Sequence, residues 1–287
     1  MRDITIPLWV KNILKTPVSI EKYETKDLEN LKQKLSRFNK NNNPIVTVVI
    51  PAWNEEQGIL HTLVSLANST CPYAVELIVV DNNSTDGTGL LLHKLGVKSL
   101  LETKQGVGFS RKKGLINAKG KYVLTGDSDT LYPPSWIANM TNEMIQNEES
   151  KVFCVTGGYS FIPSTKSARW KYAFYEILSS IIIKRKQKHE PYLTALGFCS
   201  GFVRDKGIEV DGYNIEVQRT GRGNGGVLEN NATEDGMMAL RIMNAGGKIK
   251  CINSRSTRVW TSDRRIQLDG GLNNAMKMRI NKYLFPK

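Results

Sequence analysis

Residues 122–134 read YVLTGDSDTLYPP, a short apolar run followed directly by two aspartates, Asp127 and Asp129, one residue apart. The run reads as a β-strand, so the two acids stand at its carboxyl end. Like charges this close repel. The pattern therefore asks for a cation between them, such as a divalent metal carrying a sugar nucleotide, for a phosphatase nucleophile with its acid partner, or simply for a polar turn. The runs IVTVVI (45–50), VELIVV (75–80) and KYVLTG (121–126) alternate with EQGILHTLVSLANS (56–69) and GLLLHKLG (89–96), whose apolar spacing suits helices. Nearly all-apolar strands separated by helices predict an α/β fold with a mainly parallel sheet covered on both faces. Residues 45–156 read as a Rossmann-like half.

Each of the three strands ends in polar residues: Pro51-Ala52-Trp53-Asn54-Glu55, then Asp81-Asn82-Asn83-Ser84, then Gly126-Asp127-Ser128-Asp129. Open parallel sheets bind ligands beyond the carboxyl ends of their strands, so the three ends converge on one pocket. Any one of them alone could be a solvated turn. The chain has 287 residues, 40% of them hydrophobic, which is enough for a substantial core, and a net charge of +13 favours anionic partners such as nucleotides or acidic head groups. Cys71, Cys154, Cys199 and Cys251 are scattered, without zinc spacing or a dense disulfide framework, which points to a reducing cytoplasm. The first fifteen residues lack the apolar core of a signal peptide, and no run of about 18 apolar residues predicts a membrane span.

A dinucleotide site would need Gly-x-Gly-x-x-Gly after the first strand, where PAWNEE stands instead. Gly106 and Gly108 in GVGFSR open a helix and read as a tight turn or as a weak phosphate loop.

Four blocks carry a resemblance: VTVVIPAWNEEQGILHTLVSL (46–66), ELIVVDNNSTDGT (76–88), GFSRKKGLINAKGKYVLTGDSDT (108–130) and NATEDGMMALRIMNAGGKI (231–249). In this order they resemble the family-2 glycosyltransferases of the GT-A fold, over residues 45–255. The resemblance implies an inverting transferase that moves a sugar from a nucleoside diphosphate, most commonly UDP, to a saccharide or lipid-linked saccharide acceptor in polysaccharide or glycolipid synthesis. It implies that Pro51, Ala52, Trp53 and Asp81 flank the base, that Glu55 supports the ribose side, and that Arg111 faces the base or the phosphates. Asp127 and Asp129, with Ser128 between them, match the family's Asp-x-Asp, which binds ribose and a divalent cation; hard oxygen ligands suit Mg²⁺ or Mn²⁺. Many relatives add a histidine ligand from a C-terminal loop, but His61, His93 and His189 all lie upstream of it. In TED (233–235), Thr233 is an N-cap candidate, and the resemblance makes Asp235 the general base and Glu234 an acceptor contact.

LGFCSGFVRDKGIEVDGYN (196–214) is similar to the family's acceptor-side segment, which contains Gly201; its GFCSG only imitates a nucleophile elbow, because no histidine follows. Arg258, Arg264 and Arg265, in an expected loop after the last strand, form either a lid over the diphosphate or a general basic surface. The helical stretch SARWKYAFYEILSSIIIKRKQKHE (167–190), apolar early and basic late, reads either as core packing capped by cations or as a peripheral contact with an anionic membrane. The expected organisation is a helical appendage over 1–44, a nucleotide-sugar-binding half over 45–156, and an acceptor-binding half with basic C-terminal helices or loop over 157–287. The expected location is cytoplasmic, peripheral at the inner membrane surface, with no nucleic-acid partner. Two other readings stay open. One is a haloacid-dehalogenase-like phosphatase, whose Asp-x-Asp-x-Thr signature normally lies on the first strand; the other is a non-catalytic sugar-nucleotide-binding module.

Overall fold

The computed structural model describes residues 4–164, 169–187, 189–214 and 233–284. Ser167 and Ala168 of the long helical stretch, its Lys188, and Asn231 and Ala232 of the fourth block lie outside the described residues. Strand β1 (Val46–Ala52) is buried along its whole length and pairs in parallel with β2 (Val75–Asp81) and β4 (Tyr122–Thr125), and β2 pairs in parallel with β3 (Ser99–Leu101). Three strands, rather than the expected two, precede the strand that ends in the Asp-x-Asp. The extra one, SLL, is too short to carry a periodic signal.

Side chains alternate across these strands and sort into two cores. Val46, Val48, Ile50, Leu77, Val79 and Leu124 face one, and Val49, Ile78, Val80 and Val123 face the other. A sheet apolar on both sides must be covered on both. Helix α1 (Leu8–Leu14), α2 (Thr25–Ser36), α3 (Ile59–Ala67) and α6 (Trp136–Gln146) supply the first cover. The second comes from α5 (Val107–Asn117) and α9 (Glu234–Asn244), through Leu115, Met238, Ala239 and Ile242. Val10, Ile13, Leu31, Leu35 and Phe38, all within residues 1–44, belong to the first core.

The sheet continues past β4 through β8 (Ser200–Val203), β6 (Val152–Thr156) and β9 (Lys248–Cys251), in the order β3-β2-β1-β4-β8-β6-β9. β8 runs antiparallel to both neighbours, while β6 and β9 are parallel, so the sheet is mainly parallel, as expected. A second sheet has the order β5-β10-β7, built from Thr130–Leu131, Val259–Ser262 and Tyr159–Ile162. β5 starts directly after Asp129, which ties this small sheet to the aspartates. The remaining α-helices among the described residues are α4 (Thr88–Lys94), α7 (Arg169–Gln187), α8 (Arg204–Glu209), α10 (Arg264–Leu268) and α11 (Leu272–Leu284). Arg264 and Arg265 thus open a helix rather than sit in a loop, and Arg258 is buried just before β10, next to Gly158.

Candidate functional site

The ends of β1 and β2 are stitched together by polar contacts. Asn54, at φ 52, accepts a hydrogen bond from the Thr85 N–H (2.8 Å) and donates its own N–H to Ser84 Oγ (3.0 Å). The Glu55 N–H reaches Thr88 Oγ1 at 2.9 Å, and Asp81 Oδ1 accepts from the Ser84 N–H at 3.0 Å. Buried Asn82 accepts from the Gly106 N–H (2.8 Å) and donates to the Lys104 and Glu102 carbonyls (2.7 and 3.1 Å). Gly106, at φ 138, takes a backbone conformation that favours glycine, so it makes a tight turn into α5. Pro51 and Ala52 are buried in β1 opposite Val80 and Asp81, whereas Trp53 is 52% exposed at the rim.

Arg111, on α5, is the hub of the site. Its side chain is 2% exposed and donates to Asp127 Oδ1 (Nη2, 2.9 Å), Asp235 Oδ2 (Nη1, 2.6 Å) and Glu234 Oε1 (Nη1, 3.2 Å). Three carboxylates thus converge on the arginine expected to face base or phosphate. Thr233 caps α9, its Oγ1 accepting from the Gly236 N–H at 3.3 Å, and so presents both acids at the first turn. The Tyr213 hydroxyl donates to Asp235 Oδ1 at 3.2 Å. Burial, with Glu234 and Asp127 nearby, pushes the Asp235 carboxyl up to about 7 despite the pull of Arg111. Burial works to lower the Arg111 guanidinium, but Asp235, Asp127 and Glu234 together raise it.

A second arginine serves the other aspartate. Arg264 Nη2 lies 2.7 Å from Glu55 Oε1 and 3.3 Å from Asp129 Oδ2, and the Ser262 N–H donates to the Asp129 carbonyl at 3.2 Å. Burial first, and Asp127 second, push the Asp129 carboxyl up to about 6 even beside Arg264. Ser128 is buried, and its carbonyl accepts from Thr62 Oγ1 at 2.7 Å. Arg265 is exposed at the start of α10. Gly201 is not brought into the cluster: it sits in β8 opposite Leu124, where a Cβ would strike the Leu124 side chain. Gly197 matters more, because a Cβ there would collide with the Arg111 guanidinium and the Asp235 carboxylate. Cys199 is fully buried, its thiol pushed up to about 12 by burial, as expected for a packing residue rather than a nucleophile.

A cleft of about 860 Å³ runs along the Arg264 flank, lined by Glu55, Asp129 and Arg264 and by Leu14 and Val18 from the N-terminal segment. It does not reach the Arg111 cluster. The sequence alone assigns no role to Asn82, Tyr213 or Gly197. Asn82 lies within the quoted DNNS, but nothing local marks Tyr213 or Gly197 as neighbours of Asp235.

Glu55, Asp127, Asp129, Glu234 and Asp235 bring five carboxylates to two guanidiniums. The surplus of negative charge, and the raised Asp129, fit a further hard cation. Among the described residues no group of three His, Cys, Asp or Glu side chains is arranged to hold a metal ion. Mg²⁺-type ions are commonly held by one or two carboxylates together with substrate phosphates, so Asp127 and Asp129 suffice as a protein donor set.

The family model for glycosyl transferase family 2 matches residues 47–208, more than half of the chain. The chain belongs to that family. The match spans the Asp-x-Asp and leaves the phosphatase reading without support. The chain is 28% identical over 179 residues to the uncharacterized glycosyltransferase YfnE of Bacillus subtilis, covering 60% of this chain and 45% of that protein. It is 29% identical over 154 residues to an undecaprenyl-phosphate 4-deoxy-4-formamido-L-arabinose transferase of Aeromonas hydrophila, covering 50% and 44%. The chain therefore spans about half the length of these relatives. Its fold is similar to residues 1–349 of TarS from S. aureus (TM-score 0.53, 19% identity, 83% of this chain and 66% of that one). It is also similar to the mannosyltransferase PcManGT from Pyrobaculum calidifontis, solved in complex with GDP-Man and Mn²⁺ (TM-score 0.50, 19% identity, 88% and 62%). Among the described residues no helix is long and apolar enough to cross a membrane.

Proposed function

We propose that the protein transfers a sugar from a nucleoside diphosphate, UDP as the first choice, to an acceptor hydroxyl with inversion, in polysaccharide or glycolipid synthesis. The observation that carries this reading is the Arg111 hub, which joins the Asp-x-Asp at Asp127 to the Glu234-Asp235 pair across more than a hundred residues of sequence. Residues 45–156 bind the donor, with Asp81 and Trp53 at the base and Glu55 on the ribose side. Residues 157–287 bind the acceptor, and Arg264 and Arg265 lie over the diphosphate. Asp127 and Asp129 would hold a divalent cation, which when bound neutralises charge on the departing diphosphate. PcManGT with GDP-Man and Mn²⁺ and TarS with UDP-GlcNAc support the donor class and the metal.

Asp235 accepts the proton of the acceptor hydroxyl. Its raised carboxyl is matched to that task near neutral pH, Tyr213 and Arg111 orient it, and the more accessible Glu234 contacts the acceptor. Relatives named for undecaprenyl-phosphate and dodecaprenyl-phosphate support a lipid-linked acceptor, and such an acceptor would be met at the cytoplasmic face of the inner membrane. A thermal-shift screen over nucleoside diphosphates and their sugars tests the donor, since selective binding raises Tm by mass action. Wild type should be stabilised most by one nucleotide sugar with Mn²⁺ or Mg²⁺, and Asp129→Ala should lose mainly the metal-dependent part. Equal losses with and without metal would count against coordination by Asp129. Binding without turnover would leave the non-catalytic module as the better description.

A further inference from the structure

Helix α7 has two unlike faces. Tyr172, Tyr175, Glu176 and Ser179 are buried on one, with Glu176 accepting from Arg169 Nη2 at 2.8 Å and α11 packed against Tyr172 and Tyr175 through Leu272 and Ala275. On the other face Trp170 (58%), Phe174 (57%), Ile177 (44%) and Ile181 (48%) are exposed. Their spacing of four, three and four residues is that of a single helical stripe. A stripe with Trp and Phe at one end and two isoleucines beyond is unusual on a water-facing helix.

The charge of the two helices is of one sign. Apart from Glu176, which is buried in its ion pair, neither α7 nor α11 contains an acid. Besides Arg169 the two helices carry seven lysines and arginines, three of them consecutive at Lys184-Arg185-Lys186 where α7 ends. An apolar stripe carrying aromatics, embedded in cationic sequence and too short in apolar run to span, has the composition of a helix lying in a lipid–water interface. A protein partner would require an equally apolar and acidic surface, whereas an anionic bilayer offers both properties to any approach.

We propose that the exposed face of α7 docks the protein onto an anionic phospholipid membrane, with Trp170, Phe174, Ile177 and Ile181 entering the interface of a bilayer attracted by the net positive charge of α7 and α11, on which Lys171 and Lys277 are exposed. This deepens the membrane-facing part of the proposed function and does not depend on its chemistry. The buried face of α7 packs against β7, and β7 pairs with β10, the strand that leads into Arg264. Docking would therefore hold the cleft at a set position relative to the bilayer.

The test is co-sedimentation of the full chain with phosphatidylcholine vesicles, with and without phosphatidylglycerol, at low and high salt. Wild type should bind the anionic vesicles, less at high salt, and only weakly bind the neutral ones. Trp170→Ser with Phe174→Ser should reduce binding at least about tenfold, since burying one such side chain is itself worth roughly that factor in partition. Both residues are exposed, so circular dichroism and Tm should match wild type. Leu90→Ser with Leu101→Ser, equally exposed on α4 and β3, should leave binding unchanged. Absence of wild-type binding, or equal binding by the Trp170/Phe174 variant, overturns the proposal. So does a wild-type dimer in sedimentation velocity that this variant converts to monomer without vesicle binding, which would assign the face to a second copy. Because vesicle binding is read without turnover, this proposal and the transfer reading can fail separately.

Discussion

Asp235 has both oxygens engaged, one by Arg111 and one by Tyr213, and sits where burial holds its carboxyl near neutrality. A base must be ionised to take a proton, and burial favours the neutral acid, so below about pH 7 the group is protonated and idle. Transfer should therefore rise with pH through about 7. Asp235→Asn keeps the size and the tyrosine contact but removes most of the proton affinity. Turnover should fall by on the order of 10²-fold or more, that pH limb should vanish, and donor affinity should survive. Steady-state rates across pH, with donor binding by calorimetry, check all three outcomes. A near-normal Asp235→Asn together with a dead Glu234→Gln would reverse the roles within the pair.

The acidic pair is presented by an element whose position depends on its neighbours. Thr233 caps α9, which explains why the two acids stand in the first turn, but the cap says nothing about what they face. That is decided by α5, which covers the same face of the sheet and brings Arg111 to them, and by the turn at Gly197, which leaves room for the ion pair. Gly197→Ala would push a methyl into the guanidinium and carboxylate. The expected cost is about 1–3 kcal/mol of stability, as for overpacking elsewhere. The transfer rate should fall by more than that loss explains, because the misplaced groups are those at the reacting centre. Chemical denaturation beside turnover measures the two effects. Unchanged turnover would remove the Arg111–Asp235 contact from the working site.

At the scale of the molecule, residues 1–44 do more than precede the sheet. Val10, Ile13, Leu31, Leu35 and Phe38 are each less than a tenth exposed and share a core with Ile59, Leu63 and Leu66 of α3. Burying such side chains contributes about 1.5–3 kcal/mol each. Five of them approach the roughly 5–15 kcal/mol that separates a typical domain from its unfolded state. A protein starting at Ile45 should accordingly lose cooperative unfolding or precipitate on expression. An unchanged melting curve for residues 45–287 would make the segment a true appendage.

Local chemistry sufficed for what neighbouring residues decide. The all-apolar runs of β1, β2 and β4, the polar residues at their ends and the Thr233 cap are short-range patterns, and each is visible without knowing the rest of the chain. They led to the α/β sheet, the Asp-x-Asp and the acidic pair, and the ordered blocks led to the family. Pairings across long stretches of chain were not legible. Arg111 meets Asp235 at a separation of 124 residues and Arg264 meets Glu55 at 209, and although both arginines stand out in the sequence, no local pattern says which carboxylates they meet. The same holds for α7, whose sequence is apolar on more than one side. Only the packing of β7 and α11 against Tyr172 and Tyr175 decided which side chains are buried and left Trp170, Phe174, Ile177 and Ile181 facing outward, because burial depends on what lies across from a residue, not on the residue itself.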